Sequence, residues 1–345
     1  MFLLEPSDWS LVQALIVFGV CALVIAIAGT RITRVVDQLA DRTGIGEAAA
    51  GAVLLGAATS LGGSVLSVTA AWNGHAELAV SNALGGIAVQ TFFLAVADMV
   101  YRRANLEHAA ASAPNMMQNG LLICLLTVIM LAPMLPDITV FGIHPVTPAL
   151  FGFYLYGLKL VQGATESPMW RPAMTVETRE DKPDDTTLMP SMVRLWSEFL
   201  GLMAVLGVAG WALEPSATTI ARETGLGQTV VGVMLTAIST SIPELVTSVA
   251  AVRRGALTLA VGGIIGGNAF DTLFTAASDL AYRDGSIYHA MSNDARFWVA
   301  LTILMSGILM MGLIRRERQG PGRIGVESVA ILLLYLGGVF LLLSQ

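Results

Sequence analysis

The sequence predicts an all-α integral membrane protein of ten transmembrane helices, arranged as two inverted five-helix repeats. Three observations predict it. Of the 345 residues, 55% are apolar and only 13% charged, and the mean hydropathy is +0.71, a balance foreign to soluble domains. Ten mostly apolar stretches reach or approach the about 20 residues that a spanning helix needs. Residues 40–103 match residues 221–284 without a gap at an offset of 181, with 25 of the 64 pairs identical.

The ten stretches are residues 10–29, 46–72, 77–100, 115–135, 143–163, 195–213, 228–252, 257–281, 297–313 and 325–343. The first is expected to stay as a helix rather than be cleaved as a leader, because the residues before it carry Glu5 and Asp8 and no Lys or Arg. Residues 1–163 make the first five-helix unit, 164–193 a linker and 194–345 the second unit. Within the linker, the polar run from Thr175 to Asp185 has the composition of a solvated hinge. Cys21 and Cys124 each fall inside an apolar stretch and read as packing or lipid-facing residues, not as a disulfide.

The self-match includes Gly44/Gly225, Gly51/Gly232, Thr59/Thr240, Ser60/Ser241, Ser67/Ser248, Gly74/Gly255, Gly85/Gly266, Thr91/Thr272, Asp98/Asp279 and Tyr101/Tyr282. Small-residue bias does not place Asp and Tyr in register. Each unit holds five spans, an odd number, so the second copy crosses the membrane in the opposite sense to the first. Inverted repeats recur in secondary transporters. The basic residues agree with this topology. With both termini outside, fifteen of the nineteen Lys and Arg fall on the cytoplasmic side, the linker included; Arg222, Arg283 and Arg296 fall outside and Lys159 within a span.

The stretch that carries chemistry is Thr240-Ser241-Ile242-Pro243-Glu244, with Thr247 and Ser248, near the middle of the seventh span. An acidic residue at that depth costs roughly 3 kcal/mol on insertion scales, so it faces a cavity, a partner or an ion. Pro243 removes a backbone donor one residue before Glu244. The hydroxyls recur at three- and four-residue spacings and share the helix face of that carboxylate. The eighth span adds Gly266-Gly267-Asn268-Ala269-Phe270-Asp271, with Asn268, Asp271, Thr275 and Ser278 on one stripe. Oxygen donors of this kind suit hard cations.

Residues 225–271 resemble the second alpha-repeat of the sodium/calcium exchanger superfamily, whose pattern runs T-S-x-P-E and then G-S-N-x-F-N/D. The resemblance implies that Thr240, Ser241, Glu244, Asn268 and Asp271 lie in or around the shared ion-binding region, with Thr59, Ser60 and Gln90 contributed by the first repeat. The first repeat departs from the pattern. Gly62-Gly63 stands for Pro-Glu, Gly86-Ile87 for Ser-Asn and Gln90 for the usual Asn or Asp, while in the second repeat Gly267 replaces the Ser before Asn268. The implied function is secondary antiport of Ca²⁺, or a related divalent cation, against Na⁺ or H⁺ by alternating access. The alternatives are a monovalent cation/proton exchanger and a non-transporting cation-binding membrane protein.

Other polar residues read more plainly. Asp98 and Asp279 precede Arg102 and Arg283 by four residues and are expected to form interfacial salt pairs. Glu47, Glu198 and Lys159 lie near span ends, within reach of the interface. His75, His108, His144 and His289 show no metal-site spacing. No H-E-x-x-H or G-x-S-x-G motif marks an intramembrane hydrolase. No enzyme activity, cofactor or nucleic-acid partner is expected, and the partners read from the sequence are the lipid bilayer and inorganic cations.

Overall fold

A computed structural model describes residues 9–43, 56, 58–101, 103–173, 175, 190–320 and 323–344, with the backbone alone at 40, 41 and 43. The regular structure there is helical, apart from an isolated bridge between Val140 and Ile143. Helices α1 (Leu11–Thr43), α2 (Leu61–Trp72) and α3 (Ala76–Val100) lead to a single turn, α4 (Leu106–Ala109). Helices α5 (Ala113–Leu131) and α6 (Val146–Glu166) follow. Beyond the linker come α7 (Met192–Thr224) and α8 (Gln228–Arg254), the latter with a π-helical turn over Val231–Thr236. The chain closes with α9 (Leu257–Ala281), α10 (Asn293–Arg315) and α11 (Val326–Leu343).

Among the described residues, 8 helices are long and apolar enough to cross a membrane: α1, α3, α5, α7, α8, α9, α10 and α11. Helix α6 has 21 residues, but Lys159, Gln162 and two tyrosines lower its apolarity. Of the stretch 46–72, the C-terminal part is α2; residues 44–55 and 57 lie outside the described residues, as does Glu47. Helices α1 and α7 each run to 33 residues, well past the apolar stretches that announce them. In α1, Thr30 and Thr33 turn their hydroxyls back onto the carbonyls of Ala26 and Gly29, 2.7 and 3.0 Å away, so these polar groups are satisfied within the helix.

Helix ends follow local chemistry. Ser112, Ser191 and Ser292 cap α5, α7 and α10 by accepting from the amides of Asn115, Arg194 and Ala295. Gly74 (φ +81°) and Gly255 (φ +86°), matched in the self-alignment, both stand in left-handed turns that end α2 and α8. Arg253 and Arg254 occupy the last turn of α8, where cations favour the helix dipole.

Burial sorts the bundle. The spanning windows of α3 and α9 are 78% and 72% buried and that of α8 61%, against 22% for both α1 and α7. Helices α3, α8 and α9 are therefore the inner elements, and α1 and α7 pack chiefly on each other with broad lipid-facing surfaces. This outer pair meets the inner helices at two close crossings. A Cβ on Gly29 would lie 2.4 Å from Cγ of Pro243, and one on Gly210 would lie 2.2 Å from the Gly62 carbonyl oxygen. Only glycine permits either approach. Both partners of the two crossings, 29 with 210 and 62 with 243, are 181 residues apart.

The same offset relates hydrogen bonds at the far ends of α3 and α9. Asp98 accepts from the amides of Leu106 (2.6 Å) and Gly325 (2.8 Å), and Asp279 accepts from those of Ile287 (3.1 Å) and His144 (2.9 Å). Beside them, Ser328 donates to Glu107 at 2.7 Å, and the Thr147 hydroxyl lies 2.8 Å from that of Tyr288. These contacts correct the expected Asp279–Arg283 salt pair. Both aspartates are fully buried and satisfied by backbone amides, Arg283 lies over the Trp72 ring at 5.0 Å, and Arg102 is outside the described residues. A carboxylate that accepts two amide bonds has no need of an arginine.

Candidate functional site

The site forms where α2, α3, α8 and α9 meet. Pro243 lies inside α8 without ending it, and the helix enters this region through the π-helical turn at Val231–Thr236. A proline in a helix leaves the carbonyl four residues back, here Ser239, without its usual donor. Around that point Thr240, Ser241 and Glu244 are buried and turned inward, while Val246 on the opposite face is exposed. From α9 comes Asp271, 2% exposed; from α3, Gln90, also 2% exposed; and from the start of α2, Ser60.

These residues enclose a small cavity lined by Ser60, Gly63, Asn82, Gly86, Gln90, Thr240, Ser241, Glu244 and Asp271, with Ala83 and Phe274 completing the wall. Its free space admits about one water-sized sphere, enough for a dehydrated ion but not for one that keeps its water shell. Ser60 Oγ donates to Glu244 Oε1 at 3.4 Å and also reaches Asp271. Gln90 Nε2 donates to Asp271 Oδ2 at 2.8 Å and to Ser241 Oγ at 3.4 Å. Gln90 and Asp271 are themselves matched positions, 181 apart, and face each other across the cavity.

The charge and hydrogen-bond balance states what the cavity can hold. Among the described residues, two carboxyl groups line it and no basic side chain does. Asn82 Oδ1, Gln90 Oε1, Glu244 Oε2 and Asp271 Oδ1 are buried without a hydrogen-bond donor among the described residues. A single buried unsatisfied acceptor costs about 1–3 kcal/mol, so four on the residues that line one cavity favour a positive occupant. All four are oxygens, the donor type of hard cations. Among the described residues there is no group of three or more His, Cys, Asp or Glu, so the arrangement differs from a transition-metal centre.

Of the eight residues expected at the site, the structure brings six to the cavity wall: Ser60, Gln90, Thr240, Ser241, Glu244 and Asp271. Thr59 stands just behind, its hydroxyl within reach of the Glu244 carboxyl. Asn268 points elsewhere. Its Nδ2 donates to Thr91 Oγ1 at 3.1 Å, tying α9 to α3 one turn before Asp271, and the residue is not part of the cavity lining.

A model of the family described as sodium/calcium exchanger protein matches residues 13–161 and 195–344 of this chain. The chain belongs to the sodium/calcium exchanger family. CaxA of Alkalimonas amylolytica is 29% identical over 285 residues, 81% of this chain and 83% of that protein. Among solved structures, the H⁺/Ca²⁺ exchanger CAX aligns with a TM-score of 0.72 at 14% identity, covering 96% of this chain and 85% of the other. The sodium–calcium exchanger NCX_Mj aligns with a TM-score of 0.58 at 16% identity, covering 96% and 99%. At these identities the two structures share the fold with this member of the family.

Sequence reading missed Asn82, which lies eight residues before Gln90 and lines the same cavity. The available signal was the helical spacing: 82, 86 and 90 fall at four-residue intervals on one face of α3. It also missed Glu214, a 3%-exposed carboxylate of α7 held by His75 Nδ1 at 2.8 Å and Asn73 Nδ2 at 3.2 Å. Glu198, read as an interfacial residue, pairs with Arg31 at 2.6 Å between α7 and α1.

Proposed function

We propose that this chain is a secondary antiporter that exchanges Ca²⁺, or a related divalent cation, against Na⁺ or H⁺ by alternating access. The observation that carries this reading is the cavity at the centre of the bundle. Two carboxyl groups line one ion-sized space, and among the described residues no basic side chain lines it and four oxygens of its lining residues, two of them on those carboxyl groups, have no donor. The two carboxylates match the charge of one divalent cation, and amide and hydroxyl oxygens supply neutral ligands toward the six to eight that Ca²⁺ takes. Either two protons or two Na⁺ would balance the same charge. That equivalence is what an exchanger needs: a site occupied by one substrate or the other permits the crossing, and an empty, charged one resists it.

The full topology belongs to the same reading: ten spans in two inverted five-helix units, both termini outside and the central linker cytoplasmic. Its supports are the basic-residue bias, the matched glycine crossings and the paired Asp98 and Asp279 clasps at a constant offset of 181. In this scheme the membrane and inorganic cations are the partners, and no catalytic step or cofactor is involved. A monovalent cation/proton exchange is the second reading, favoured by Gly63 where the family pattern places a carboxylate.

Proteoliposomes holding the purified protein, loaded with Na⁺ or set with a pH gradient, test both. Gradient-driven uptake of radiolabelled Ca²⁺ is the expected result. Flux of Na⁺ or H⁺ with no Ca²⁺ movement selects the second reading, and no cation flux under any gradient rejects transport.

A further inference from the structure

The repeat offset that pairs Thr59 with Thr240 and Ser60 with Ser241 also pairs Glu244 with Gly63, so one half of the chain brings a carboxylate where the other brings nothing. The space beside Gly63 is nevertheless occupied. A Cβ built there would lie 3.4 Å from Thr240 Oγ1 and 3.7 Å from Asn82 Nδ2. Asn82 comes from α3, and its own matched position, 263, is a glycine. The amide is therefore an addition peculiar to the half that lacks the acid.

Its orientation is fixed. Nδ2 spends both hydrogens, one on the Gly63 carbonyl at 3.0 Å and one on Ser67 Oγ at 2.9 Å. With the amide plane set in this way, Oδ1 faces away from those acceptors. The residue is 2% exposed, Oδ1 has no donor among the described residues, and the side chain lines the cavity of Glu244 and Asp271. A buried amide that satisfies its nitrogen and strands its oxygen is arranged for a positive partner.

We infer that Asn82 is a cation ligand and a determinant of ion selectivity, its Oδ1 supplying a neutral oxygen in place of the carboxylate absent at Gly63. This rests on the cation-exchange reading of the cavity and refines it. The site then holds two negative charges instead of three. It matches one divalent ion without excess charge, and it releases that ion more readily than a three-carboxylate site would.

The test uses the full-length protein purified in detergent, titrated with CaCl₂, MgCl₂ and NaCl while thermal unfolding is followed, and then assayed for Ca²⁺ uptake in proteoliposomes. Asn82→Ala is expected to raise the half-saturating Ca²⁺ concentration by about tenfold, the equivalent of one lost oxygen ligand. Asn82→Asp keeps the oxygen and adds a charge, so it should bind Ca²⁺ at least as tightly as the native chain and shift selectivity away from Na⁺. It does so despite losing the donors to Gly63 and Ser67. If Asn82 merely ties α2 to α3, the aspartate variant loses Ca²⁺ binding as far as the alanine variant, and the inference is overturned. It is equally overturned if Asn82→Ala binds Ca²⁺ as the native chain does. Asn82→Ser, which withdraws the amide oxygen but keeps a donor, stands in if the alanine variant does not purify. A native protein that responds to none of the three salts and moves no Ca²⁺ removes the cation reading itself, along with Asn82's part in it.

Discussion

Replacing Gly210 by alanine tests how the outer helix pair is seated on the site. The new Cβ would stand 2.2 Å from the Gly62 carbonyl oxygen, 2.9 Å from its carbon and 3.0 Å from its Cα. All three neighbours are backbone, so no side chain can swing aside. An ordinary carbon–oxygen contact of roughly 3.2 Å requires α7 and α2 to part by about 1 Å, and overpacking of that kind costs about 1–3 kcal/mol. Gly201 and Gly207, on the same helix, have nothing within 4 Å of the corresponding position. Alanine there gains up to about 1 kcal/mol in helix propensity. The two classes should therefore differ by about 1–4 kcal/mol, read as a gap of several degrees in melting temperature measured in detergent. Ca²⁺ uptake should fall in Gly210→Ala and hold in Gly207→Ala, because Gly62 adjoins Gly63 on the cavity wall. Equal melting temperatures and equal fluxes for the two variants would refute the tight crossing.

Other expectations follow from the same geometry. Glu244→Gln should abolish Ca²⁺-dependent thermal stabilisation and Ca²⁺ uptake while leaving melting without ions close to the native value, since the amide fills the same volume and can still accept from Ser60. Gln90→Glu sets a second acid 2.8 Å from Asp271 Oδ2, and melting at low Ca²⁺ should drop by several degrees and recover as Ca²⁺ is added. Asp279→Ala strands the amides of His144 and Ile287, and should cost on the order of 2–4 kcal/mol in a melting assay without altering ion selectivity. Burial, then the charge of Asp98, pushes the Glu107 carboxyl up from 4.5 to about 7. The folded protein therefore holds a proton there that the unfolded chain has released, and stability should decline as pH rises from about 4.5 through about 7 and level off beyond. Melting temperatures across that range should show the decline in the native protein and a flatter profile in Glu107→Gln.

What could be read from the sequence was whatever local spacing encodes. Apolar run length gave the inner spans 77–100 and 257–281 within a residue or so of α3 and α9, because these helices end at extended backbone after Val100 and Ala281. The lengths of α1 and α7 were not legible. Hydropathy drops at Arg31 and Arg34, but the helix persists where it packs on α7 and Arg31 pairs with Glu198, contacts that leave no mark on an apolarity profile. At the site, Glu244 and Asp271 announced themselves by the expense of a buried acid. Asn82 did not, since an amide in a small-residue helix has no such cost until its oxygen proves to lack a donor. Asn268 holds the motif position, but the engagement of its Nδ2 by Thr91 could not be read from spacing. The Asp–Arg spacing at Asp279 was a real helical neighbour relation, overruled by two amides, one eight residues on and one 135 residues away in sequence.

The reciprocal clasps at Asp98 and Asp279 have a bearing on how the chain is made. Asp98 tethers the start of α11, and Asp279 tethers the start of α6, so each aspartate fastens a helix encoded in the opposite portion of the gene. A ribosome that has released only residues 1–163 has exposed one acid without its counterpart amide and one helix start without its acid. Maturation is then a late event, completed when α9 and α11 enter the bilayer. Two separately translated fragments, cut within the linker, should persist in cells only when produced together.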